Sequence, residues 1–363
     1  MKLPDFPWDS LRAAKRLAES HPGGIVDLSV GTPVDPVPEF IQRALTEAAD
    51  SPGYPTTAGT EDLRHAIAGW LLRVRSVQVA PTAILPCIGT KELVAWLPTA
   101  LGLAAGDRVG YPSLAYPTYE VGALLAGAQA VRADSTLAWG PDSPDLLWLN
   151  SPANPNGAVL GVEHLAKVVR WARERDVIVV SDECYAGLTW SAQAPSLLDP
   201  AVCGDDHSGL LVVHSLSKRS NLAGYRFGFV AGDPVLIEQL LEVRKHAGMM
   251  VPAPIQAAAT VAYQDDEHAV LQKAVYAARR EVLLSALQEA GFRVDDSQGG
   301  LYLWATCGES CRATVDWLAA LGILVAPGDF YGPAGAQHVR VALTATDERV
   351  AVAAERLVGA TPA

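Results

Sequence analysis

The sequence predicts an α/β fold: a mostly parallel central sheet covered by helices, joined to a smaller α+β domain. Three observations carry that expectation. Strands such as Leu146–Leu149 and Val177–Val180 are apolar throughout, the pattern of strands buried on both faces. The segments between strands carry apolar residues at helical spacing, as in Leu165, Val168, Val169 and Ala172 at i, i+3, i+4 and i+7. From about Asp265 the alternation gives way to one long helix, around His268 to Ala290, and then to short strands. The expected organisation is an N-terminal segment over residues 1–30 packing with the small domain, a large domain over 31–264 and a small domain over 265–363.

In chain order, Pro4, Pro7 and Pro22 bracket a short helix around Leu11 to Ala18. Val26 to Val30 reads as a strand entering the Gly31-Thr32-Pro33 turn. Thr60 is an N-cap with Glu61 and Asp62 in the first turn, and Leu63, Ile67, Trp70 and Leu71 face the core behind it. Ala83 to Cys87 is a strand, and Gly89-Thr90-Lys91 opens the next helix, through Leu97. Asp107 to Tyr111, Leu146 to Leu149, Val177 to Val180 and Leu210 to Val213 are further strands. Phe292-Arg293-Val294, Gly300 to Trp304, Ile323 to Val325 and Val339 to Leu343 are the short strands of the small domain, with a helix near Ala313 to Leu321.

Composition narrows the function. The chain has 363 residues, half of them hydrophobic, and a net charge of −12, which argues against nucleic acid or an anionic membrane surface as partner. Five irregularly spaced cysteines suggest reduced thiols, and Cys307 and Cys311 lack the second pair or histidine that a metal site requires, so no metal is expected. Residues 1–5 show no charged-then-apolar leader, and the apolar stretch from Leu93 to Ala105 is short and holds Pro98, so a cytoplasmic location is expected.

In open parallel sheets ligands bind beyond the carboxyl ends of the strands. Polar groups follow the apolar runs there: Asn154, then Asp182 and Tyr185, then Ser215 to Lys218. His214-Ser215-Leu216-Ser217-Lys218, with Arg226 eight residues on, admits three readings. The lysine is a solvated strand end, or Ser215-x-x-Lys218 is an acyl-enzyme motif, or Lys218 forms a Schiff base while Ser215, Ser217 and Arg226 hold a phosphate. Acyl transfer wants S-D-N and K-T-G elements as well, and only Ser181-Asp182-Glu183 is present. Asp182 ends a buried strand and needs a cationic partner, which a protonated pyridine nitrogen would supply; an N-cap or an ion pair with an arginine is the alternative. Gly89-Thr90, between a strand and a helix N-terminus, suits a phosphate, and the absence of G-x-G and G-K-[ST] excludes a dinucleotide fingerprint and a P-loop.

Four stretches together resemble the class I/II, fold-type I, pyridoxal-phosphate-dependent aminotransferases. They are Ser151-Pro152-Ala153-Asn154-Pro155-Asn156-Gly157, Ser181-Asp182-Glu183-Cys184-Tyr185, Ser215-Leu216-Ser217-Lys218 through Arg226, and Val339-Arg340-Val341-Ala342. The resemblance implies roles by position. Lys218 would be the covalent anchor of pyridoxal 5'-phosphate and the proton carrier, with Asp182 on the pyridine nitrogen and Asn154 and Tyr185 on the phenolic oxygen. Gly89, Thr90, Lys91, Ser215, Ser217 and Arg226 would surround the phosphate. Tyr116 would stack on the ring, and Tyr54 would reach the phosphate of a partner subunit in a homodimer. Arg340 would take the substrate α-carboxylate, with Asn154 beside it and the Gly31 backbone closing over it. Asn156 departs from the family's usual threonine, and Arg219 after the lysine is a less common choice.

Longer stretches, among them Phe6-Pro7-Trp8-Asp9, Asp27 to Pro36, Ile88 to Leu93, Arg244 to Pro252 and Ala326 to Gly332, resemble actinobacterial N-succinyldiaminopimelate aminotransferases. That resemblance implies an amino acid and a 2-oxo acid as small-molecule substrates: N-succinyl-LL-2,6-diaminopimelate, with 2-oxoglutarate as amine acceptor, in diaminopimelate and lysine synthesis. Lys91, Arg219, Arg244 and Lys245 are the candidate cations for further carboxylates. Another aminotransferase specificity and a carbon–sulfur lyase are the alternatives on the same fold.

Overall fold

The computed structural model describes residues 3–140 and 142–360, so the part of the leader reading that concerns Met1 and Lys2 lies outside it. Seven strands form the central sheet: β1 (Ile84–Cys87), β2 (Arg108–Tyr111), β3 (Gln129–Arg132), β4 (Leu146–Asn150), β5 (Ile178–Asp182), β6 (Leu210–Ser215) and β7 (Gly228–Gly232). They lie in the order β1-β7-β6-β5-β4-β2-β3. Only β7 runs antiparallel to its neighbours, β1 and β6. The fold is α/β with a mostly parallel sheet, as the apolar strand runs predict.

Sequence reading misses two of these strands. β3 sits at the sheet edge and is only partly buried, so it carries no apolar run. β7 reads Gly-Phe-Val-Ala-Gly, a short buried strand with glycine at both ends, the residue least associated with strands.

Helices cover both faces. Val162–Arg173 buries Leu165, Val168, Val169 and Ala172, the stripe its spacing marks. Glu61–Arg75 starts where Thr60 Oγ1 accepts from the Leu63 amide at 3.2 Å, and it buries Leu63, Ile67, Trp70 and Leu71. Behind the sheet, Trp70, His214, Phe229 and Tyr263 form one aromatic cluster, with Trp70 and His214 ring centroids 4.4 Å apart. Burial holds His214 well below the usual histidine pKa, and its Nδ1 lies 3.1 Å from the Tyr263 hydroxyl.

The C-terminal part builds a four-stranded antiparallel sheet from Arg293–Asp295, Tyr302–Thr306, Ala326–Pro327 and Val339–Ala342. The long helix Glu267–Glu289 packs against the helix Asp347–Leu357. The N-terminal segment joins this part. Val26–Asp27 pairs with Ile323–Leu324, and Leu11, Ala14, Ala18, Val26 and Leu28 share its hydrophobic core. Among the described residues no helix is long and apolar enough to cross a membrane, and no cluster of three metal-ligating side chains occurs.

Candidate active site

Strand register brings the candidate residues to one rim. Asn150 at the end of β4 pairs with Asp182 at the end of β5, and Ser215 ends β6 beside them. Antiparallel β7 begins at this same rim, because Gly228 pairs with both Ser215 and Cys87. That reversal delivers Arg226, two residues before Gly228, to the rim that already holds Ser215 and the β1-to-helix turn at Gly89.

The Gly89–Arg226–Ser215 corner is built for an anion. Gly89 has φ +75°, a left-handed conformation, and any Cβ there would collide with the Arg226 guanidinium. The helix Thr90–Ala100 starts immediately after, with no side-chain cap on its N-terminus among the described residues. Arg226 also adopts left-handed backbone, φ 57° and ψ 56°, a cost of about 1 kcal/mol that non-glycine residues meet mainly at functional sites. Its guanidinium is exposed and donates to the Ala223 carbonyl at 2.9 Å. Ser215 Oγ lies 2.7 Å from Ser217 Oγ and accepts from the Ser217 amide at 3.0 Å, so the two hydroxyls stand together. Lys91 is exposed, its ammonium 5.3 Å from the Phe6 ring centre. Partial burial, then the Arg226 charge, lower its pKa. Tyr54 is 97% exposed.

Asp182 forms the floor. It is buried, and no cation pairs with it among the described residues. Tyr119 donates to its Oδ2 at 2.8 Å and the Cys184 amide donates to its Oδ1 at 3.1 Å. Burial raises its pKa against the pull of those bonds, so a cation placed above it would be stabilised. Thr90 Oγ1 accepts from Cys184 Sγ at 3.4 Å, which ties the anion corner to this floor. Asn150 donates to the Asp182 carbonyl at 2.9 Å, and its Oδ1 accepts from the Asn154 amide at 2.7 Å, so Asn154 is referenced to the Asp182 strand. Tyr116 stands edge-on to Tyr119, ring centres 6.0 Å apart, with its hydroxyl pKa pushed up to about 12 by burial. Tyr119 and Asn150 were missed in the sequence; the Tyr116-x-x-Tyr119 spacing after β2 was a usable signal.

Lys218 and Arg340 form the other half. Lys218 is half-buried and donates to the Gly31 carbonyl, and burial lowers its pKa, which favours the free amine. Arg340 is 2% exposed. Its Nη1 donates to Asn154 Oδ1 at 2.9 Å, its Nη2 donates to the Ser29 carbonyl at 2.7 Å, and its Nε is buried without a partner. No carboxylate pairs with it among the described residues. Aromatic faces surround it instead: Tyr302 at 3.8 Å, Tyr331 at 5.0 Å and Trp8 at 6.0 Å from the guanidinium carbon. Tyr185 and Tyr302 hydroxyls lie 3.1 Å apart. Any side chain at position 31 would strike the Tyr302 hydroxyl. Residue type alone does not mark Trp8, Tyr302 or Tyr331: Tyr302 sits in an apolar run that reads as core, and Trp8 and Tyr331 lie in irregular segments containing Pro or Gly.

The other candidate cations are engaged elsewhere. Arg244 makes a buried two-point pair with Glu92 at 2.8 and 3.1 Å. Arg219 binds Asp266 at 2.8 Å, and exposed Lys245 binds Glu242. Of the four, only Lys91 joins no ion pair among the described residues.

These groups fit pyridoxal 5'-phosphate. A buried carboxylate without a cation among the described residues matches a pyridinium nitrogen, the exposed Arg226 and paired hydroxyls match a phosphate, and a half-buried amine of lowered pKa matches the aldehyde. Comparison with known proteins agrees. Residues 24–357 match the family model described as "Aminotransferase class I and II". The chain is 64% identical over 356 residues to the "Probable aminotransferase Rv1178" of Mycobacterium tuberculosis, covering 98% of this chain and 85% of that one. It is 57% identical over 356 residues to "4-dedimethylamino-4-oxo-anhydrotetracycline transaminase OxyQ" of Streptomyces rimosus, covering 98% and 99%. A solved "probable N-succinyldiaminopimelate aminotransferase" from Thermus thermophilus superposes with a TM-score of 0.87 at 28% identity, covering 97% and 99%. The chain belongs to the class I and II aminotransferases, enzymes that work with pyridoxal 5'-phosphate.

Proposed function

We propose that this aminotransferase moves an amino group between N-succinyl-LL-2,6-diaminopimelate and 2-oxoglutarate, in diaminopimelate and lysine synthesis. The observation that carries the reading is Arg340, a buried guanidinium with no carboxylate partner among the described residues, on the same site as the Lys218 amine. A buried lone cation is costly unless an anion arrives, and a carboxylate matches the fork of a guanidinium. The N-succinyl side of the substrate brings further carboxylate. Of the four candidate cations, Lys91, which joins no ion pair among the described residues and lies next to the anion corner, is the one left to meet it. The likeness to the Thermus thermophilus protein supports the same substrate.

The residues divide the work. When bound, pyridoxal phosphate supplies an electron sink for the bond broken at the substrate α-carbon. Asp182 holds the proton on the ring nitrogen, and Tyr119 and the Cys184 amide keep its carboxylate oriented. Asn154 and Tyr185 hydrogen-bond the phenolic oxygen. Lys218, with its lowered pKa, carries the proton at its Nζ. Gly89, Thr90, Ser215, Ser217 and Arg226 hold the phosphate, Tyr116 covers the ring, and Lys91 adds charge at the phosphate's edge. Arg340 takes the α-carboxylate, and Asn154 and the Gly31 backbone fix its position. The working unit is a cytoplasmic homodimer in which the exposed Tyr54 reaches the partner's phosphate. Residues 1–30 and 265–363 form the part that closes on the large domain.

A second reading is amination of a bulky cyclic ketone. It is favoured by the aromatic walls Trp8, Tyr302 and Tyr331 around Arg340 and by the name of the Streptomyces rimosus relative. One experiment tests the first reading. The purified yellow protein is mixed with N-succinyl-LL-2,6-diaminopimelate, glutamate or simple amino acids, and the cofactor absorbance is followed. N-succinyl-LL-2,6-diaminopimelate should bleach it, and 2-oxoglutarate should restore it. Bleaching by a simple amino acid but not by the succinylated substrate would reject the proposal, and release of pyruvate and ammonia from a cysteine conjugate would indicate a lyase.

A further inference from the structure

The Tyr302 ring walls Arg340, but its hydroxyl has no role above, and the residue touches both halves of the site. It lies on the strand Tyr302–Thr306, where Trp304 pairs with Arg340, so Tyr302 stands diagonally beside Arg340 on the same sheet face. Its ring covers the guanidinium at 3.8 Å. Its hydroxyl reaches the other way, to Tyr185 Oη at 3.1 Å, the only hydrogen-bond partner it has among the described residues. Gly31 leaves the space that this hydroxyl occupies. A phenylalanine would cover Arg340 equally well, so the hydroxyl needs a separate explanation. A buried hydroxyl costs free energy unless it is bonded, and this one is bonded to a cofactor ligand.

The proton count indicates its use. Tyr185 has one phenolic proton and two neighbouring acceptors, the cofactor's phenolic oxygen and Tyr302. Burial by itself raises the pKa of both phenols. For Tyr302 the charges of Arg340 and Lys218 and the Tyr185 bond outweigh burial and bring it below the usual tyrosine range. Tyr185 stays well above it. The more acidic phenol is the better donor.

We propose that Tyr302 is a positioning residue. Its hydroxyl donates to Tyr185 Oη while Tyr185 donates to the cofactor's phenolic oxygen, a two-step hydrogen-bond relay from the Arg340 site to the cofactor. A donor in its own right strengthens the bond it feeds, so the relay stabilises the deprotonated phenolic oxygen. The inference rests on the cofactor assignment and not on the substrate.

The test is a pH titration of the bound cofactor's absorbance with no amino acid present. Tyr302→Phe keeps the ring over Arg340 and removes the relay, so the titration midpoint should rise, by ~0.5 pH unit or more. Tyr185→Phe should raise it further. In the Tyr185→Phe background, adding Tyr302→Phe should change nothing, because the relay has no other route. An unchanged or lowered midpoint in the single variant, or an equal rise in both backgrounds, overturns the proposal. If Tyr302→Phe does not load cofactor, a ring-fluorinated tyrosine at 302, a more acidic phenol, should lower the midpoint; no shift, or a rise, also overturns it. Since no substrate enters this measurement, its failure leaves the substrate reading intact, and failure of the substrate reading leaves the relay intact.

Discussion

Asp182 and Arg340 are both buried charges without an opposite charge beside them among the described residues, and the protein accommodates them differently. Asp182 lies at the end of a parallel strand and is held by donors: the Tyr119 hydroxyl and the Cys184 amide. Arg340 lies in the small sheet and is held by aromatic faces, one carbonyl and the Asn154 side chain. On the proposed roles, the difference follows from what each end would bind. A floor that keeps one cofactor suits directional bonds. A cage that releases a carboxylate at every turnover suits ring faces, which stabilise a cation without occupying its whole donor fork.

Three substitutions break or sharpen that contrast. The largest effect is expected between the two ends. Lys218→Ala removes both the anchor and the proton carrier and should lower kcat by ~10³-fold or more. Borohydride reduction followed by mass analysis should find no lysine adduct, and an adduct would disprove the assignment of Lys218. Next is the cage. Arg340→Lys keeps the charge and loses the fork, and should cost ~10- to 100-fold in kcat/KM for both amino and oxo acid, chiefly through KM. A KM within twofold of the parent would show that the carboxylate binds elsewhere. The smallest concerns the floor. Tyr119→Phe removes one donor to Asp182 and should weaken cofactor binding by ~10-fold, about the value of one hydrogen bond to a charged group. Equilibrium dialysis of pyridoxal phosphate measures it, and unchanged affinity would leave Tyr119 a packing residue.

The same contrast explains what was legible in the sequence. Asn154, Asp182, Ser215 and Lys218 each follow an apolar strand, and parallel register alone brings strand ends together. The sheet type and the long C-terminal helix were legible for the same reason, since period and length are local signals. Arg340 is legible only through the resemblance, and the aromatic cage around it is not: Trp8, Tyr302 and Tyr331 come from separate segments, and long-range packing places them. Arg219 and Arg244 looked equally available as cations, but their partners Asp266 and Glu92 are distant in sequence. β7 was invisible as a reversal, because Gly-Phe-Val-Ala-Gly carries no mark of strand direction.

That reversal limits how the chain can vary in length. Lys218 and Arg226 are the two ends of one short return path between adjacent strands, and Leu222 is locked into the core halfway along it. On the proposed roles, the separation of the Lys218 anchor from the Arg226 that would hold the phosphate is therefore set by residue count. A single added residue there would pull Arg226 out of register with Gly89, whatever residue it was.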